Sequence, residues 1–304
     1  MRSSSEQNPE VTLRKAPNSV RFPSDRACGW SDRVAFWFAA NHALSIYPAR
    51  SVYSFIPKNA CTTLRYSIAR ANGFFDEPSE FGYLGHANHL FRATIGELSL
   101  AEYTFVFLRC PFRRLASAFL DKSITEAWRF NALYTAHFAN KAAPARLSEK
   151  VLRKIRGGQW LDKKRTTFRH FVEALTIPGA LGCEHHWVPQ SAFLIYKSYS
   201  DYFCLEDAVN SFRRLEERLS MPILDTRELS LHGTDRLEHE ERGCFADTPV
   251  GTIEDMRKEG RMPAHVALYD EELVRKVSKL YESDISIYSQ KFPRANLLFP
   301  GVVQ

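Results

Sequence analysis

Two strand–turn–helix units with basic turns constrain the fold of this chain more than any other feature. The first is Phe55-Ile56-Pro57-Lys58-Asn59-Ala60-Cys61-Thr62-Thr63-Leu64-Arg65. The second begins about forty residues later as Phe105-Val106-Phe107-Leu108-Arg109-Cys110-Pro111-Phe112-Arg113-Arg114-Leu115-Ala116-Ser117-Ala118-Phe119. In the first, Val52, Tyr53, Phe55 and Ile56 are β-branched or aromatic, as a buried strand requires, and Pro57 removes a backbone donor and ends it. A helical pattern with Leu64, Ile68 and Ala69 near one face starts at Thr62. The loop from Lys58 to Cys61 therefore lies at a helix N-terminus, where free N–H groups and the positive dipole end favour an anion. Lys58 adds an ammonium charge, and Thr62 and Thr63 add hydroxyl donors.

In the second unit the continuous apolar run Phe105 to Leu108 reads as a buried parallel strand. Arg109 stands at its C-terminal end, where open α/β sheets bind ligands, and Pro111 suits the first helical position. Leu115, Ala118 and Phe119 form the apolar helix face, and Ser117 faces back toward the helix start. Arg109 can hold a phosphate in a two-pronged contact. Arg114 reads equally as a phosphate ligand or as a partner for a carboxylate. Two such units on one sheet edge suit a nucleotide with phosphates at both ends of its ribose. The nucleoside-triphosphate loop G-x-x-x-x-G-K-[ST] is absent: lysine leads here, the hydroxyls follow, and no glycine intervenes. Taken alone, the first segment also reads as an ordinary strand–helix turn with a surface lysine.

These residues resemble those of sulfotransferases, in particular the Golgi-type carbohydrate sulfotransferases (sulfotransferase family 2) and their bacterial relatives. Pro57-Lys58-x-Ala60-Cys61-Thr62 is similar to the family's 5′-phosphosulfate loop. Arg109-x-Pro111-Phe112-x-Arg114-Leu115-x-Ser117-Ala118-Phe119 is similar to its 3′-phosphate motif, with the same arginine-to-serine step. Thr167-Phe168-Arg169-His170-Phe171-Val172 resembles a T-F-x-x-F-V helix, and His186-Trp187-Val188-Pro189-Gln190 an H-W-x-P-Q stretch. Tyr202 to Leu219 resembles a strand–helix pair, and Tyr269 to Tyr288 a C-terminal helix with an aspartate-bearing end. The likeness spans about residues 45 to 290. It departs at Cys110, where the family usually has a carboxylate, so one negative charge near Arg109 and Arg114 is expected to be missing.

The resemblance implies a P-loop-like nucleotide-binding α/β fold with a central, mainly parallel sheet flanked by helices. It implies transfer of a sulfuryl group from 3′-phosphoadenosine 5′-phosphosulfate to an acceptor hydroxyl without a metal. The donor-binding residues would be Lys58, Asn59, Ala60, Cys61, Thr62, Thr63, Arg109 and Ser117. Lys58 would also stabilise the leaving oxygen, restrained by Ser117 or Thr62. Enzymes resembling the uronyl 2-O-sulfotransferases place a catalytic histidine between the two motifs, which here is Gly85-His86-Ala87-Asn88-His89-Leu90-Phe91. His86 matches best, and His89 is the reserve. His185 and His186 read as packing or pocket-wall residues, with Glu184 and Glu126 as further candidate bases.

Residues 31–304 are expected to form a single domain behind a polar tail, 1–30. No run in that tail approaches the roughly eighteen apolar residues of a membrane span, and no signal-peptide pattern is visible. Six cysteines without a C-x-x-C pair read as reduced thiols. The expectation is a cytoplasmic enzyme with no transmembrane segment, a truncated Golgi enzyme being the alternative. Residues 122–166 hold eleven Lys/Arg against three Asp/Glu, net +8 in a chain of net +6. That stretch reads as a basic, mostly helical insertion, either a solvated face or an arm for an acidic glycan acceptor. Nucleic acid is not expected, since no binding motif accompanies the charge. The competing readings are a magnesium-dependent phosphoryl-transfer enzyme and a non-catalytic glycan-binding module on the same fold. Sulfation of protein tyrosines fits less well. The acceptor (glycan, lipopolysaccharide, capsule or a small molecule) and the oligomeric state are not legible.

Overall fold

The computed structural model describes residues 19–22, 30–130, 133, 163–227, 229 and 237–302. Most of the basic insertion and of the N-terminal tail lies outside these residues. The central sheet has four strands in spatial order β1 (Ala43–Ile46), β2 (Ser51–Ser54), β3 (Tyr103–Leu108) and β4 (Asp201–Cys204). β1 is antiparallel to β2, and β2, β3 and β4 run parallel. A parallel pair needs a crossover connection, and helices lie in those between β2 and β3 and between β3 and β4. The helix α1 (Trp30–Ala40) precedes the sheet, and α2 (Cys61–Ala71), α3 (Leu84–Leu90) and α4 (Ile95–Leu100) lie between β2 and β3. Next are α5 (Pro111–Thr125), α6 (Phe168–Leu175), α7 (Ala208–Leu219), α8 (Val250–Lys258), α9 (Glu271–Leu280) and α10 (Glu282–Lys291). A short parallel pair, β5 (Glu238–Glu240) with β6 (Arg261–Pro263), stands apart from the main sheet.

Both faces of the sheet are covered, which is why β2 and β3 are buried along their whole length. Alternate residues serve opposite faces. Val52, Val106 and Leu108 join Leu115 and Phe119 of α5 in the larger core. Tyr53, Phe105 and Phe107 join Leu64 and Ile68 of α2 and Leu215 of α7 in a second. A third cluster, with Tyr66, Ala69, Leu84 and Ala87, clamps α3 against α2.

The strand expected to reach Ile56 ends at Ser54. Its pairing runs out there, because Ser54 is opposite Ala43, the first residue of β1; Phe55 retains one N–H bond to the His42 carbonyl. The Thr167 to Val172 stretch is a capped core helix. The Thr167 hydroxyl accepts from the His170 N–H, and Phe168, Phe171 and Val172 are buried. Trp187 is also core, its ring centroid 5.1 Å from Phe130 and 5.4 Å from Phe171.

Candidate active site

Because β2 and β3 are parallel neighbours, the loops leaving their C-terminal ends open on the same edge. They touch there: Arg109 donates from Nη1 to the Lys58 carbonyl at 2.9 Å. The first loop is unusual in having no glycine yet placing Lys58 (φ 71°) and Ala60 (φ 54°) in the left-handed region. Each such residue costs about 1–2 kcal/mol, so the loop must be held from outside. Asn59 holds it. Its buried side chain donates from Nδ2 to the Phe107 carbonyl (2.8 Å) and to Gln190 Oε1 (2.6 Å). Asn59 thus acts beneath the loop.

Gln190 ties the two units together. Its Oε1 also accepts from the Arg109 N–H at 3.0 Å, and its Nε2 donates to the Arg109 carbonyl at 2.9 Å. The Asp284 carboxylate in turn accepts from the N–H groups of Gln190 (2.6 Å) and Ser191 (2.9 Å). Burial raises the Asp284 pKa, an effect these hydrogen bonds and the charge of Arg114 oppose. Arg114 contacts neither a phosphate site nor a carboxylate. It is buried, and donates to the carbonyls of Pro57 (3.0 Å), Val188 (2.8 Å) and His185 (3.3 Å). Nor does Cys110 leave the region without negative charge. The carboxylate of Glu206, from the β4–α7 turn, accepts from the Cys110 N–H at 2.9 Å and opposes the burial that lowers the Arg109 pKa.

The edge opens into one cleft of about 1340 Å³. Lys58, Ala60, Cys61, Thr62, Thr63, Arg109 and Ser117 all line it. The Thr63 hydroxyl shares a hydrogen bond with that of Thr226 at 2.8 Å. Lys58 is held by Asp121, one turn beyond Ser117 on α5, with Nζ 2.8 Å from Oδ2. Neither Ser117 nor Thr62 takes that role. Asp121 also pairs with Lys122 at 3.3 Å. Burial lowers the Lys58 pKa, and Asp121 works against it.

His42, His89, His185 and His186 also line the cleft. His86 sits on the same helix as His89, α3, but is exposed, with its ring 5.9 Å from Tyr83, and does not line the cleft. Burial pulls His42 and His186 down to about 4. Glu184 binds both neighbouring histidines, its Oε1 lying 3.0 Å from Nδ1 of His185 and 2.8 Å from Nδ1 of His186. Burial alone would raise the Glu184 pKa; the hydrogen bonds from both histidines and Arg129 hold it well below the usual carboxylate range. A chain of ion pairs links this group to Lys58. Asp121 meets Lys122, Lys122 meets Glu126, Glu126 meets Arg129, and Arg129 meets Glu184 at 2.8 Å. Among the described residues, Glu184, His185 and His186 are also the cluster of metal-ligating types, with donor atoms within 4.8 Å of one another.

The family model described as the sulfotransferase family matches residues 49–291, from the sheet edge through the Asp284 clamp. The chain belongs to the sulfotransferase family. No curated protein and no solved structure matches it significantly. The match supports sulfuryl transfer as the activity of the chain. No helix among the described residues is long and apolar enough to cross a membrane, and Cys61, Cys110, Cys183, Cys204 and Cys244 are free thiols. Of the residues that build the site, Asp121, Gln190 and Asp284 carried no role in the sequence reading. Asp121 alone had a local signal, its four-residue step from Ser117.

Proposed function

We propose that this sulfotransferase takes its sulfuryl group from 3′-phosphoadenosine 5′-phosphosulfate and passes it to a hydroxyl of a carbohydrate. The observation that carries the donor is the direct contact of the two units, Arg109 to the Lys58 carbonyl, at one mouth. The loop N–H groups from Ala60 to Thr63 at the start of α2 would hold the 5′-phosphosulfate. Arg109 and Ser117 would hold the 3′-phosphate. An apolar wall suits a purine ring: Leu205, Phe212, Ile223 and Val209, the last 81% exposed although aliphatic, border the same cleft. Lys58 would meet the bridging oxygen, where negative charge grows as the sulfur–oxygen bond breaks.

The carbohydrate reading draws on Asn41, Asn88, His89 and Arg92 of the cleft lining, which offer hydrogen-bonding groups to sugar hydroxyls. Arg65 and Arg92 there bond to the neutral amide oxygens of Asn88 and Asn41, at 2.7 and 2.8 Å. That leaves this lining positively charged and favours an acidic glycan. His89 rather than His86 is the α3 histidine with access to such an acceptor. Free thiols suit a reducing, cytoplasmic setting.

The test is calorimetry, in chelator, with 3′-phosphoadenosine 5′-phosphate and with the analogue lacking the 3′-phosphate. Arg109→Ala and Ser117→Ala should weaken the bisphosphate by about 1.5–3 kcal/mol, the value of a charged hydrogen bond, and leave the analogue almost unchanged. Equal losses for both ligands would make these residues scaffold only. Binding that requires magnesium would favour a phosphoryl-transfer enzyme.

A further inference from the structure

We propose that His185, held by Glu184, is the base that takes the proton from the attacking acceptor; this rests on the donor reading above. The His185 side chain is 41% exposed and lines the cleft that Lys58 enters, whereas His186 is only 11% exposed. Nδ1 of His185 lies 3.0 Å from Glu184 Oε1. A carboxylate at that nitrogen favours the tautomer with the proton on Nδ1, which leaves the lone pair on Nε2 for the acceptor. Glu184 is itself fixed by Arg129, so the imidazolium formed in the reaction has a carboxylate beside it.

The placement is not a matter of side chains alone. One buried guanidinium, that of Arg114, binds the carbonyls of both Pro57 and His185. The residue before Lys58 and the backbone of His185 are thereby held by the same rigid group. A base and the group that stabilises the leaving oxygen must keep a fixed separation, and this contact provides it. The groups around the imidazole are Glu184 and His186 on its own segment and His42, whose ring centroid is 6.4 Å away. Arg129 and Lys122 approach through Glu184 and His186. Burial disfavours charge on His42 and His186.

In the step itself, Nε2 of His185 takes the acceptor hydroxyl proton as that oxygen bonds to sulfur. The bond from sulfur to the 5′-phosphate oxygen breaks, and its electron pair stays on that oxygen beside Lys58. The products are a sulfate ester, the nucleoside 3′,5′-bisphosphate and a protonated His185. Glu184 is a positioning residue.

The experiment has two arms. The first follows bisphosphate release from 3′-phosphoadenosine 5′-phosphosulfate with water as the acceptor. It compares wild type, His185→Gln, Glu184→Gln and His86→Gln, with calorimetry of bisphosphate binding alongside. His185→Gln should slow release by about 10²–10⁴-fold with binding unchanged, and remove the acidic limb of the pH–rate profile. Glu184→Gln should shift that limb, and His86→Gln should do neither. A His185→Ala variant should regain rate with added imidazole. The second arm reads the wild-type imidazole by nitrogen NMR, where the proton should sit on Nδ1. A proton on Nε2, or normal release by His185→Gln with its pH limb intact, overturns the proposal. Failure of the wild type to bind the bisphosphate would instead sink the donor reading.

Discussion

Replacing Asp121 with asparagine removes the carboxylate that holds Lys58 while keeping the shape of the side chain. The pair is largely enclosed, with Asp121 4% and Lys58 17% exposed. Deleting one partner of a buried pair costs about 3–5 kcal/mol. Two features reduce that here. Lys122, which also meets Asp121, keeps Glu126, and the Lys58 ammonium can turn toward the cleft. The expected loss is therefore about 2–3 kcal/mol, or roughly 3–5 °C in Tm for a domain of this size. Ligand should narrow the difference. A phosphate group gives the released ammonium a new partner, so saturating 3′-phosphoadenosine 5′-phosphate should raise the Tm of Asp121→Asn several degrees more than that of wild type. The pH response has a definite sign. Burial lowers the Lys58 pKa and Asp121 raises it, so without Asp121 the ammonium is lost at a lower pH. Nucleotide affinity should begin to fall earlier as pH rises. Differential scanning fluorimetry with and without ligand, repeated across alkaline pH, gives every quantity. Equal Tm values without ligand together with equal ligand shifts would refute the assignment of Asp121 as the holder of Lys58.

Gln190→Leu should cost about 2–4 kcal/mol in a denaturant titration, because it leaves the Asn59 amide and the Arg109 backbone groups short of partners. It should also weaken bisphosphate binding; unchanged affinity would separate the clamp from the loop geometry. Acid should destabilise the fold from about pH 6.5 downward. His42 and His186 have folded pKa values near 4, so the unfolded chain binds more protons over that interval, and stability is full above 6.5 and lost toward 4. Glu184, depressed instead, adds a loss of the same sign at lower pH. His186→Gln should flatten this slope in pH-dependent melts, and an unaltered slope would place the sensitivity elsewhere.

The sequence by itself determined the two strand–turn–helix units with basic turns, a mainly parallel sheet and the family. Those features are local. A lysine after a strand-ending proline, or an arginine before a helix-starting one, carries its meaning within a dozen residues, because strand period, proline geometry and helix ends are short-range properties. The tertiary structure decided which side chains support them. Asn59 looked like a ligand residue and is the peg beneath the loop. Arg114 was ambiguous between phosphate and carboxylate and binds three carbonyls instead. Glu206, nearly a hundred residues from Cys110, places a carboxylate beside it, and no pattern in the chain announces that substitution. Between His86 and His89, the helix of α3 sets the outcome. Both are exposed, three residues apart, and of the two His89 borders the cleft. Buried hydrogen-bond partners and the facing of a helix depend on what packs against it, and that information is spread over elements joined only when the sheet has formed.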